Sequence, residues 1–481
     1  SENCAFKTRN FSCTKPLCAI TLQINSMKRK LIIFTIIFSN FIYGQIPNNI
    51  TKEEKIYGLS KFWQEVNYNF VYLDKVDKTE WNKLYKEYIS EVLETKNDYE
   101  YYRKLQKFCA FLKDGHTNVW FPKEIQKNVL TTDFGDYKLF LRNIEGKAVI
   151  IKVNDSKKEE IPIGTEIIKV NGISYIDYIK KNVKPYISTS TQHILEDWSI
   201  SNMLQGYKGT TYELELKKPN GEYKTIKLTN QKSKETELFP VENNEIFEFK
   251  SINNEIVYIA LNSFSNWDLM NLFSEKLSEI RKAKKLIIDL RKNGGGDESI
   301  GREIIKYLTK DTVLYSSKSK SRLHIPYYKA VGKWSKAKDT INSNWSKQAY
   351  LSYHDKYFYD FPYHPYSTEN LNITRIEIPT VILIGHNTAS AAEDFLVYAD
   401  NQEHMMKIGE PSFGSTGQPM MFDLPNGGIA RVCTKKDIFP SGLEFVGYGI
   451  QPDIIVRSSY KDFIEGKDNV LDKAIDYLNK K

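Results

Sequence analysis

At 481 residues the chain is too long for one ordinary hydrophobic core, so roughly two to four domains are expected. A hydrophobic share of 41% and an aromatic share of 13% exclude an intrinsically disordered chain. The net charge of +8 comes from dispersed Lys and Arg, with no Arg-rich run and no Cys/His finger spacing, which argues against a nucleic-acid partner.

In chain order, "MKRKLIIFTIIFSNFIYGQ" starts at Met27 with a basic cluster, continues through a short apolar run and reaches Tyr43-Gly44. That order reads as a secretory signal peptide over 27–44, cut after Gly44, and predicts a secreted or periplasmic protein with no stable membrane insertion after cleavage. Residues 1–26 precede that methionine and read as non-native upstream sequence outside the fold. They carry Cys4, Cys13 and Cys18, so the mature chain would keep only Cys109 and Cys433, expected as buried free thiols.

Residues 50–122 are predicted as an N-terminal helical domain, from the helical spacing in "EEKIYGLSKFWQEVNYNF" and "YYRKLQKFCAFLKD", ending at "DGHTNVWFP". Residues 130–232 turn to short strands, with a hairpin in "YELELKKPNGEYKTIKL" whose Asn220-Gly221 suits a tight turn. From 245 to 481 strands and helices alternate. The fully apolar runs "KLIIDL" and "PTVILIG" lie between helices, as in a sheet covered on both faces. Between them, residues 311–375 form an aromatic-rich segment that reads either as a lid or as a surface excursion.

Strand-to-turn junctions carry the polar chemistry. In "NTASAAED" Ser390 and Glu393 have the S-x-x-E spacing of a helix capping box, and a serine at that helix start can also act as a nucleophile. In "DLRKNGGG" three glycines follow a buried strand, where backbone N–H groups can turn toward an oxyanion. A serine nucleophile needs a base, and His116 in "DGHT" lies at a helix exit between Gly115 and Thr117.

In order and spacing these segments, with "IPIGTEIIKVNG", "GEPSFGSTGQP" and "GYGIQPDIIV", resemble the S41 family of serine peptidases, from about residue 50 to the C-terminus. That family includes the C-terminal processing proteases and the tricorn core. The resemblance implies an α/β fold: a ClpP/crotonase-like catalytic domain, a small PDZ-like β module and a helical N-terminal domain. It implies Ser390 as nucleophile, and an oxyanion hole from the Ala391 N–H with Gly295 or Gly296. The processing branch has a lysine base in a G-K-G setting, but here that place holds Ser415, so the resemblance implies a His116 base as in the tricorn branch. The tricorn relay has a serine before the histidine, where this chain has Gly115. Its third member falls to Glu444 or to the rival Asp114.

The activity implied is peptide-bond hydrolysis through an acyl-enzyme, with a peptide or protein substrate, no metal and no cofactor. A His base with an ordinary pKa of about 6.5 predicts activity falling below that pH. Two alternatives differ in class. A non-catalytic binder of peptides or hydrophobic ligands could share the scaffold. A crotonase-like acyl-CoA enzyme would share the oxyanion turn, but would have no use for Ser390 or a PDZ-like module.

Overall fold

The computed structural model describes residues 46–369 and 371–481; the readings of 1–26 and of the signal peptide at 27–44 lie outside them. Three helices open this part, α1 (Lys52–Asn69), α2 (Lys78–Leu93) and α3 (Asp98–Ala110). Each begins on a polar cap. Thr51 and Glu54 exchange hydrogen bonds in a capping box, Asp77 accepts from Thr79 and Glu80, and Asn97 accepts from Glu100. Their buried faces (Leu59, Phe62 and Val66; Trp81; Leu105 and Phe108) do not close a core of their own. They belong to one apolar cluster with Leu290, Phe395 and Val432. Strand β1 (Asn118–Trp120) continues this union by pairing with a strand more than 300 residues later.

The β module has its own core, including Leu139, Ile150, Ile167 and Leu214. Its antiparallel sheet contains β2 (Tyr137–Ile144), β3 (Lys147–Asn154), β4 (Glu166–Val170), β5 (Thr211–Lys217) and β6 (Tyr223–Thr229), in the order β6-β5-β4-β3-β2. The β5–β6 hairpin turns on Gly221 at φ 89°, a left-handed position that suits glycine. Helices α4 (Tyr175–Asn182) and α5 (Gln192–Ser201) complete the module, with α5 against β2.

A six-stranded mixed sheet follows. Its order is β7 (Phe247–Ser251), β8 (Ile256–Leu261), β9 (Lys285–Asp289), β10 (Thr380–Ile384), β11 (Met405–Gly409) and the short β12 (Ile454–Ile455). Only β7 is antiparallel. Strands β8 and β10 are buried along their whole length because both faces are covered. Helices α6 (Asp268–Ile280), α7 (Glu298–Ile305) and α8 (Ala391–Ala399) pack on one face, and α9 (Asn469–Leu478) on the other. Because β9 and β10 are parallel neighbours, the glycine turn and the Ser390 turn emerge at the same end of the sheet.

The 311–375 segment holds two short helices, Pro326–Gly332 and Asn344–Tyr353, and the strand Lys318–Arg322, which pairs with Lys436–Ile438. It is tied to α1 by Arg322, which donates to the carbonyls of Asn67 and Tyr68 and pairs with the buried Asp355 at 2.9 Å. Cys109 and Cys433 are both buried and free. Among the described residues no helix is long and apolar enough to cross a membrane.

Candidate active site

Ser390 occupies a sharp strand-to-helix turn between β10 and α8, at φ 53° and ψ −120°. A non-glycine residue there costs roughly 1–3 kcal/mol, and such strain concentrates at functional sites. The turn is held from the glycine side. Ala389 N–H donates to Asn293 O (3.0 Å) and Thr388 Oγ1 to Leu290 O (2.9 Å).

The glycines are glycines for steric reasons. A Cβ on Gly295 would lie 2.8 Å from Ala389 O and from Ser390 Cβ, and 3.0 Å from Ala391 N. One on Gly296 would lie 2.2 Å from Phe264 O. Gly295 therefore touches the serine turn, but its N–H is spent on Asn293 Oδ1 at 2.9 Å. The N–H groups of Gly296 and Ala391 have no acceptor among the described residues. Of the two glycines left open by the sequence, Gly296 has the donor to offer.

Glu393, in the first turn of α8, is fully buried and accepts four hydrogen bonds. Ser390 N–H (3.1 Å) and Ser415 N–H (3.2 Å) reach Oε2, while Gly414 N–H (2.7 Å) and the Ser412 hydroxyl (2.5 Å) reach Oε1. Burial raises its pKa to about 7 against the opposing effect of these donors. Ser415 in turn carries the histidine, with its Oγ 2.6 Å from His116 Nδ1. Ser390 and His116 are thus joined through one carboxylate and one serine. No direct hydrogen bond links them among the described residues.

The His116 loop is fixed on both sides. Ser190 Oγ accepts from Gly115 N–H (3.0 Å), Ser188 Oγ donates to Asp114 O (2.8 Å), and Thr117 Oγ1 accepts from Cys433 N–H (3.1 Å). Burial, then Arg431 and Lys435, lowers the His116 pKa to about 4, so the imidazole is neutral at neutral pH. The value of 6.5 expected from the sequence takes no account of this burial.

Neither rival for the third member contacts the ring. Asp114 is buried and spends its carboxylate on Thr117 Oγ1 (2.6 Å) and Ser190 Oγ (3.3 Å); burial raises its pKa to about 6. Glu444 pairs with Lys75 (2.8 Å) and Lys436 (2.9 Å), which outweigh its burial and hold its pKa at about 2. Sequence reasoning noted Ser415 only as the place lacking a lysine and Glu393 only as a capping partner. The S-x-x-E spacing was the one available signal for Glu393.

This arrangement, at the C-terminal end of a mostly parallel sheet, is that of a serine-type peptidase. Residues 255–456 match the model of peptidase family S41. It is 22% identical over 425 residues to the carboxyl-terminal-processing protease of a Picosynechococcus species, covering 86% of each chain. A shorter stretch of 100 residues, 20% of this chain and 23% of the other, is 33% identical to the carboxy-terminal-processing protease of Bartonella bacilliformis. Among solved structures, mature CPAF shares the fold, with a TM-score of 0.60 at 12% identity over 89% of this chain and 96% of that one.

Proposed function

We propose that the chain is a secreted or periplasmic endopeptidase that cleaves peptide bonds through a Ser390–His116 acyl-enzyme mechanism. The observation that carries this reading is the elbow at Ser390, a strained turn packed against the Gly295–Gly296 turn, where the N–H groups of Ala391 and Gly296 have no acceptor among the described residues. His116, with Nδ1–H donated to Ser415, presents Nε2 as a base and takes the Ser390 proton as the oxygen attacks the scissile carbonyl. The Ala391 and Gly296 N–H groups hold the oxyanion. The imidazolium then protonates the leaving amine, and water, deprotonated by the same nitrogen, clears the acyl group. Ser415 is the orienting hydroxyl, and Glu393 fixes it relative to Ser390.

The β module is read as PDZ-like. Strand β2 pairs with β3 on one side, and its other edge meets only the two residues Asp133–Phe134 before facing α5. That free edge supports peptide capture by strand addition. Export rests on the signal-like segment at 27–44. A fluorophosphonate probe tests the mechanism: labelling of the wild type that disappears in Ser390→Ala is expected. A folded wild type that neither labels nor cleaves a peptide library would overturn it.

A further inference from the structure

Charge is uneven along the chain. Residues 318–356 hold nine Lys or Arg, two Asp and no Glu, a net +7 beside +8 for all 481 residues. Two of these cations turn inward: Arg322 and Lys329 both reach the buried Asp355. By contrast Lys333, Lys336, Lys338, Lys347 and Lys356 are exposed, with no ion-pair partner among the described residues. The same stretch exposes large apolar groups. Trp334 is 79% exposed, Ile341 77% and Tyr327 67%, and Trp345 is exposed as well. Lys333 Nζ lies 5.2 Å from the Trp334 ring, so charge and apolar surface are interleaved. The helices Pro326–Gly332 and Asn344–Tyr353 hold this surface together. A Cβ on Gly332 would lie 2.0 Å from Ala349 O, so the two pack backbone to backbone, and the rings of Tyr327 and Trp345 are 6.4 Å apart. Their connection, 333–343, carries Trp334, Ile341 and three of the free lysines.

Uncovered aromatic and aliphatic groups cost free energy in water, and neighbouring ammonium groups without counter-charges repel one another. An anionic lipid surface relieves both: the rings and Ile341 enter the interfacial layer while the lysines meet headgroup phosphates. Trp and Tyr favour that layer because each joins an apolar body to a polar handle. Duplex DNA would satisfy the lysines but leave Trp334 and Ile341 in water, and none of the five free cations is an arginine, the side chain fitted to bidentate phosphate contacts. We propose that the 326–353 helix pair is a peripheral docking surface for an anionic phospholipid membrane. This goes beyond the peptidase reading and does not depend on it. Among the described residues no helix is long and apolar enough to cross a bilayer, so the association is a reversible one at the surface. At the root of the segment, Lys318–Arg322 pairs with Lys436–Ile438, and the nearby Cys433 N–H donates to Thr117 beside His116. A docked segment therefore holds the candidate site near the lipid.

The test uses the chain from Gln45 onward, which omits the apolar 27–44 run that would itself partition into lipid; residues 47–481 form one compact unit. It is sedimented with vesicles of phosphatidylcholine, alone or with a third of phosphatidylglycerol. Partitioning is expected to be ~10-fold or more stronger on the anionic vesicles, and to weaken as salt is raised. Replacing Lys333, Lys336 and Lys338 together by Gln should erase most of that preference. Trp334→Ser with Ile341→Ser keeps the charge and should still weaken binding ~10-fold. All five positions are exposed, and unchanged thermal midpoints check that the fold is intact. Equal partitioning on both vesicles, or none on either while duplex DNA or an acidic protein is held instead, would overturn the proposal. So would vesicle binding untouched by the Trp334 and Ile341 changes, which would make the surface a general polyanion site. Hydrolysis is not read in this assay, so failure here leaves the peptidase reading standing, and loss of that reading leaves the docking surface.

Discussion

A side chain at position 115 and the hydroxyl of Ser415 compete for the same space. The Cβ that Gly115 lacks would lie 2.9 Å from Ser415 Oγ, the oxygen that is 2.6 Å from His116 Nδ1. Glycine at this position leaves room for the hydroxyl to arrive from the opposite loop. Ser415→Gly should therefore lower kcat about tenfold, the worth of one buried hydrogen bond, with KM less affected. Gly115→Ser alone should be worse, because it crowds Ser415 and Phe413. The double variant should recover part of the loss, a non-additivity read directly from steady-state kinetics. Strict additivity would remove Ser415 from the relay.

The base should set an unusually low acid limb. With its pKa lowered to about 4, His116 stays neutral down to mildly acidic pH, so kcat/KM should fall as pH drops through about 4 rather than 6.5. Arg431, the second cause of the depression after burial, can be tested: Arg431→Gln should move the limb upward. A wild-type limb at 6.5 would mean that His116 is more exposed to water than this geometry allows.

The parts legible in the sequence were those whose cause is local. Strands β8 to β10 appear as apolar runs because both faces are buried, and the glycine turn because a Cβ has no room there. Ser390 stood out as a helix start. What stayed hidden depends on distant partners. His116 and Ser415 are 299 positions apart. The four-donor cradle of Glu393 involves a loop about 20 residues downstream. Glu444 was a candidate third member, but Lys75 and Lys436, from separate segments, take its carboxylate. The helical start reads as a domain from periodicity alone, yet its apolar faces pack into the same core as the catalytic sheet.

Strain at Ser390 gives a stability test independent of activity. Both Ser390→Gly and Ser390→Ala remove the hydroxyl, but only glycine adopts φ 53° without cost. Ser390→Gly should be more stable than Ser390→Ala by about 1 kcal/mol in urea denaturation. If alanine is the more stable of the two, the elbow is relaxed in solution.

The β module meets the mixed sheet at a pair of neighbouring, mutually tilted histidine rings. His386 Nδ1 is 2.6 Å from Asp197, its ring lies 4.5 Å from that of His193, and Glu410 faces Nε2 at 3.8 Å. Burial works against the His386 charge, but Asp197 prevails and raises its pKa. A raised histidine contributes stability that is present below its ordinary value of 6.5 and lost as pH rises through the folded value. Asp197→Asn should move the His386 titration, followed by NMR, to lower pH and flatten that part of the stability profile. An unmoved titration would remove Asp197 from the seam.

Glu393 should be the most sensitive residue near the site that performs no chemistry. Glu393→Gln replaces one acceptor oxygen by an NH2 group, so at least one backbone N–H of the cradle loses its acceptor inside the protein. The expected cost is about 2–4 kcal/mol, with a fall in kcat because Ser390 and Ser415 lose their common anchor. The pH dependence carries the signature. Burial, against its four donors, raises the Glu393 pKa from 4.5 to about 7, so the folded state binds its proton more tightly and this group lowers stability as pH rises across that window. His116, lowered from 6.5 to about 4, contributes stability present above 6.5 and lost as pH falls toward 4, a slope of opposite sign. The two offset each other in the wild type. Glu393→Gln should expose the histidine's slope, so the variant is more stable at pH 7 relative to pH 5 than the wild type is, as read from denaturant midpoints at both values. Parallel profiles for the two proteins would mean that the carboxylate is ionised throughout, held by its donors more firmly than burial opposes them.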